Sequence, residues 1–115
     1  MKPAMIISTY PDKKSASQAA SKLVADRTAA CVNITKISSV YSWKGRIENT
    51  TEYLALFKTT ARNKRLLKKA ILETHPYDVP EIVEVDVASV NEPYMQWLAE
   101  STSNISARRQ PRRVR

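Results

Sequence analysis

One glycine, one histidine and one cysteine in 115 residues set the first limits. With Gly45 alone, the chain has no glycine-rich phosphate loop and no dinucleotide fingerprint. With His75 and Cys31 as single copies, the short-spaced cysteine and histidine pairs of common metal signatures are missing. A lone histidine and a lone cysteine also fail to supply the Ser-His-Asp or Cys-His-Asp sets of acyl-transfer enzymes unless other subunits contribute. Cys31 cannot form a disulfide within the chain, which fits a reducing compartment. No apolar run approaches the roughly 20 residues that cross a membrane, and the start of the chain is too weakly apolar for a signal peptide. The expectation is a soluble, cytoplasmic protein.

What is abundant is positive charge, and its distribution matters more than its sum. The formal net charge is +8, of which Arg108, Arg109, Arg112, Arg113 and Arg115 supply five, leaving 8 − 5 = +3 for the rest. The end of the chain lacks periodicity and aromatics, so residues 102–115 read as a basic, disordered tail behind a single domain at 1–101. A solubilising tail is favoured over nucleic-acid binding, which would be steeply salt-dependent.

Unusual residues converge on the stretch from Leu72 to Val83, LETHPYDVPEIV. His75 precedes Pro76 and is pushed out of the helical region, so the helix upstream must end there. Pro80 bars a central ladder bond just before the apolar run Ile82, Val83, Val85, Val87. A stiff corner between a helix and a strand is predicted, holding His75 and Tyr77.

Ala4 to Thr9 reads as a strand ended by Tyr10, Pro11 and Asp12. From Ser15 onward, Ala16, Ala19, Ala20, Leu23 and Val24 recur at helical spacing, with Ser15 or Asp12 as the cap. Cys31 to Ser42 and Ile47 to Thr60 are β-branched and aromatic runs around Gly45, which predicts a long hairpin with Tyr41 and Trp43 near a projecting tip. Aromatics exposed at such a tip call for a partner. Residues 62–74 form a helix with Leu66, Leu67, Ala70 and Ile71 on one arc and Lys64, Arg65, Lys68 and Lys69 opposite, read as a solvated face. A strand with alternating valines follows, and Asn91 starts a last helix with Pro93 in its first turn and the stripe Tyr94, Trp97, Leu98. The order gives an α+β fold of the ferredoxin-like split βαβ type, βαββαβ plus a C-terminal helix, with an antiparallel sheet and two main helices on one face.

Several local strings occur in one register: Ala30-Cys31-Val32-Asn33, Tyr41-Ser42-Trp43-Lys44-Gly45-Arg46-Ile47-Glu48, Glu52, Lys58-Thr59-Thr60, His75-Pro76-Tyr77-Asp78-Val79-Pro80-Glu81-Ile82, and Tyr94 with Trp97-Leu98. From about Ile7 to Ser101 the chain resembles the CutA family of divalent-cation tolerance proteins. That resemblance implies a tight homotrimer akin to the PII signalling trimers, with the long second and third strands pairing between subunits. It further implies a non-enzymatic role in tolerance to copper and other divalent metals, and eukaryotic members are linked to membrane anchoring of acetylcholinesterase. The basic tail matches no motif of the family.

Two kinds of site are expected. In the first, His75 offers an imidazole nitrogen, Cys31 a thiolate and Glu81 or Asp78 an oxygen, a set suited to copper or zinc. Some family members carry another cysteine on the first strand, where this chain has Ile6, Ile7 and Ser8. In the second, intersubunit clefts lined by Tyr41, Trp43, Lys58, His75, Tyr77 and Glu81 hold a small anion or a partner's segment, Lys58 and His75 acting as donors. The same residues can also do no more than seal the interface, with Trp43 and Tyr41 as anchors.

Overall fold

Asp12 both ends the first strand and begins the first helix: extended itself, it accepts the Ser15 backbone N–H on its carboxylate at 2.7 Å. That bond satisfies one of the orphan donors of a helix start and holds the Asp12 carboxyl below its ordinary range. The computed structural model describes residues 1–102, and the elements follow in the order β1 (Pro3–Tyr10), α1 (Lys13–Ala25), β2 (Cys31–Trp43), β3 (Arg46–Thr60), a 3-10 turn (Ala61–Asn63), α2 (Lys64–Thr74), β4 (Ile82–Asp86) and α3 (Glu92–Thr102). Thr102 is the last residue of α3 and is buried. The Arg-rich segment lies outside the described residues.

All strand pairs are antiparallel, in the order β2-β3-β1-β4. This is the split βαβ topology expected from the element order. Ile6, Tyr10, Ala55 and Phe57 face the helix layer and bury against Ala16 and Leu23 of α1 and Leu67 and Ile71 of α2. Each of the larger side chains there contributes roughly 1.5–3 kcal/mol by leaving water. Val24 and Leu66, expected on the buried arcs, instead point outward, 41% and 57% exposed. At 100° per residue Leu66 sits a quarter-turn from Leu67, outside the contact stripe.

The basic arc of α2 is not wholly solvated either. Lys64 and Lys68 both reach Glu84 of β4, at 2.9 and 2.6 Å. Ile82 and Glu84 therefore turn toward α2, and Val83 and Val85 occupy the opposite face, opposite Ile7 and Met5 in register. Leu54 and Leu56 of β3 extend that same face, because they pair with Thr9 and Ile7. The result is an apolar strip of Met5, Ile7, Leu54, Leu56, Val83 and Val85 that is only partly covered.

The hairpin is longer than the sheet that supports it. β1 pairs with Tyr53–Thr60 only, so residues 37–43 and 46–52 form a two-stranded ribbon that no third strand of the described residues joins. It carries the molecule's long axis to 50 Å against 27 and 25 Å for the other two. Lys44 and Gly45 close it with φ of 51° and 76°, the two positive values that a tight hairpin turn requires.

Candidate functional site

The predicted corner exists, and His75 is its fastener. Its backbone leaves the helical region at ψ 137° and ends α2 before Pro76. The ring then inserts beneath the corner and stacks on Tyr10, centroids 4.3 Å apart. Tyr77 N–H donates to Nδ1 at 3.1 Å, which leaves the proton on Nε2, and Nε2 donates to the Thr9 carbonyl at 2.8 Å. Burial favours the neutral ring and lowers its pKa. Ser8 Oγ fixes the far end of the corner by donating to the Glu81 carbonyl at 2.7 Å.

Tyr77 carries the corner across to the hairpin. Its hydroxyl donates to Glu52 Oε2 at 2.7 Å, and burial together with that carboxylate raises the phenol's pKa. Between the corner and the ribbon lies a cleft of about 860 Å³ lined by Thr9, Ser39, Val40, Tyr41, Trp43, Glu48, Glu52, Tyr77, Asp78, Val79 and Glu81. Its hairpin wall follows from register, with Tyr41 opposite Glu48 and Trp43 opposite Arg46. Lys44 Nζ lies 5.7 Å from the centre of the Trp43 ring, within the range of a cation–π contact.

Tyr41, Trp43, Tyr77 and Glu81, expected in a cleft between subunits, line this cleft within one chain, and Asp78 joins them. Lys58 does not. It sits at the other end of β3, opposite Cys31 and Met5. His75 lies beneath the cleft with both ring nitrogens engaged, so neither expected donor faces it. Cys31 is partly buried at that distant end, its thiol 3.8 Å from Asn33 Oδ1. The structure therefore does not bring His75, Cys31 and Glu81 together, and among the described residues no group of three His, Cys, Asp or Glu side chains is placed to hold a metal ion. Within one chain the expected copper or zinc set does not fit.

Two acidic lining residues were not among the expected site residues, Glu48 and Glu52. The available signal was strand alternation: two residues four apart share a face, and a turn at Lys44-Gly45 puts Glu48 beside Tyr41. With Asp78 and Glu81 they give the cleft four carboxylates, and no lysine or arginine of the described residues forms a salt bridge with any of them. The cleft is acidic and aromatic, opposite in sign to the anion site expected.

Residues 4–101 match the family described as CutA1 divalent ion tolerance protein. The divalent-cation tolerance protein CutA of Pyrococcus horikoshii is 41% identical over 98 residues, covering 85% of this chain and 96% of that one. The crystal structure of CutA from Xylella fastidiosa superposes with a TM-score of 0.86 at 34% identity, over 90% of this chain and 100% of the other. A CutA structure from Archaeoglobus fulgidus, described as a periplasmic divalent cation tolerance protein, gives 0.85 at 28% identity over 88% and 99%. No helix among the described residues is long and apolar enough to cross a membrane.

Proposed function

The chain belongs to the CutA1 divalent ion tolerance protein family, and from that membership we propose that it sustains tolerance to divalent cations, copper and zinc among them, as a cytoplasmic homotrimer that catalyses no reaction. The observation that carries the cation reading is the charge of the cleft. Glu48, Glu52, Asp78 and Glu81 face one concavity that no lysine or arginine of the described residues lines, and grouped like charges between low-dielectric walls draw in counter-ions.

Oxygen donors alone are a hard set, whereas copper and zinc prefer imidazole and thiolate. The contact proposed is therefore carboxylate-led, completed by residues of a neighbouring subunit, with His75 holding the corner from beneath. Assembly is supported by the apolar strip Met5, Ile7, Leu54, Leu56, Val83 and Val85 and by the exposed tip, where Trp43 is 56% and Ile47 75% accessible. The non-enzymatic reading is supported by the one imidazole, whose two nitrogens are both engaged. A lone thiol, Cys31, fits a reducing cytoplasm.

A second reading, a PII-like signalling or protein-anchoring scaffold, is favoured by the apolar rim of the cleft, Val40, Trp43 and Val79. Its occupant is a partner's segment, since four carboxylates repel a small anion.

Native mass spectrometry with and without a slight excess of Cu²⁺ or Zn²⁺ tests the proposal. The expected result is a trimer that takes up integral metal ions and keeps doing so in His75→Ala. A trimer taking up neither metal transfers the function to the scaffold reading, and a monomer overturns the assembly.

A further inference from the structure

One small cation cannot use the whole of the acidic cleft. Glu48 and Glu52 both line it from β3, four residues apart, which sets them about 13 Å from each other along the strand. Oxygens that bind one divalent ion lie about 2.0–2.6 Å from it, hence within about 5 Å of one another. The Tyr77 hydroxyl donates to Glu52 Oε2 at 2.7 Å and holds that carboxylate against the corner. Asp78 and Glu81 bring two more carboxylates from the corner itself, and no lysine or arginine of the described residues forms a salt bridge with any of the four. The negative charge is therefore strung along the cleft instead of gathered at a point.

We propose that the cleft binds an extended aliphatic polyamine, its ammonium groups against the carboxylates and the methylenes between them along the rings of Tyr41, Trp43 and Tyr77. This goes beyond the divalent-cation reading and holds with metal absent.

Size and lining both support that class of ligand. The cleft encloses about 860 Å³, within the range of about 300–1,000 Å³ usual for small-molecule sites. Along the hairpin wall acid and ring alternate: Trp43 stands at the tip, Tyr41 lies opposite Glu48, and further in Glu52 meets Tyr77. Trp43 is 56% and Tyr41 43% exposed, so ring surface is open to a ligand. A hydrated metal ion would use carboxylates and leave that surface wet. The methylenes of a polyamine bury it, and its ammonium groups are drawn to ring faces as well as to carboxylates. A ligand with one guanidinium or one ammonium would serve one end of the cleft only.

Isothermal titration calorimetry of the full chain, freed of metal by dialysis against a chelator, tests this with spermidine as the probe. Binding should saturate and weaken about tenfold between about 50 and about 200 mM salt. The shorter diamine putrescine, with one ammonium fewer, should bind about tenfold more weakly. Mg²⁺, which gives up its water reluctantly, should also bind at least about tenfold more weakly. Glu48→Gln/Glu81→Gln leaves the Tyr77–Glu52 bond in place and should weaken spermidine about tenfold, and Trp43→Ala should weaken it several-fold. Glu73→Gln/Glu92→Gln removes the same charge from exposed positions outside the cleft and should leave binding within about twofold. Thermal melts check that each variant is folded, and the putrescine and Mg²⁺ comparisons need only the unaltered chain. No saturable binding of spermidine, equal binding of putrescine or Mg²⁺, equal losses in the cleft and surface pairs, or an unchanged Trp43→Ala chain overturns the proposal. Copper or zinc uptake is read separately by mass, so failure here leaves the divalent-cation reading standing.

Discussion

The imidazole of His75 donates to the carbonyl of Thr9 at 2.8 Å, joining the end of α2 to the end of β1 across 66 positions of sequence. Thr9 also lines the cleft, so the ring sets the floor of the site without entering it. His75→Ala removes that bond, the acceptor for Tyr77 N–H and the stack on Tyr10. A loss of about 2–3 kcal/mol is expected in urea unfolding. His75→Gln, which keeps a donor, should lose less. A loss under about 0.5 kcal/mol for His75→Ala would deny the fastening role.

The same ring predicts an acid-labile range. The folded state lowers the pKa of His75, chiefly through burial. Its contribution is complete above the ordinary value of 6.5 and is lost as pH falls below it, because the unfolded chain takes up the proton first. The melting temperature should drop on going from about pH 7 to about pH 5, and this part of the drop should vanish in His75→Gln.

Glu84 titrates lower. Its hydrogen bonds to Lys68 and Lys64 hold the carboxyl at about 2, from 4.5. The stabilisation is present above pH 4.5 and lost as pH falls toward 2. Being on the surface, it should also shrink with added salt. An NMR titration giving Glu84 an ordinary value would contradict the paired geometry.

At the hairpin tip, Gly45→Ala places a side chain at φ 76° with no heavy atom within 4 Å of the new Cβ. The penalty is therefore conformational alone, about 1–2 kcal/mol. Lys44→Asn, at φ 51°, should instead stabilise by a few tenths of a kcal/mol, about 0.5. Chemical denaturation of the two variants should move in opposite directions.

Val83 is 44% exposed on the apolar strip. Val83→Lys should leave the single chain folded and reduce the assembled mass, read by sedimentation at several concentrations. An unchanged trimer would remove this face from the interface.

The fold was legible in the sequence because its signals are local. Pro76 after His75, the lone Gly45 between two β-branched runs, and helical spacing in residues 64–71 each act within a few positions. The cleft was legible only in part. Tyr41, Trp43, Tyr77 and Glu81 were found through their surroundings in sequence, while Glu48 and Glu52 needed the hairpin register to face Tyr77 and the corner. The error over Lys58 has the same origin: on β3 it is six residues from Glu52, which places it about 20 Å away. His75 was singled out as a ligand and donor, but a sequence does not reveal that backbone groups already use both of its nitrogens.

Among the described residues the ribbon formed by 37–43 and 46–52 has one neighbour per strand, so both of its long sides present amide and carbonyl groups that no described strand pairs. A two-stranded ribbon of this kind has little stability by itself. In the proposed trimer its order is thereby coupled to protein concentration: the helix-backed sheet can form in a solitary chain, whereas the outer hairpin should reach full order as copies meet. Dilution should loosen the tip, and with it one wall of the cleft, well before it unfolds the core.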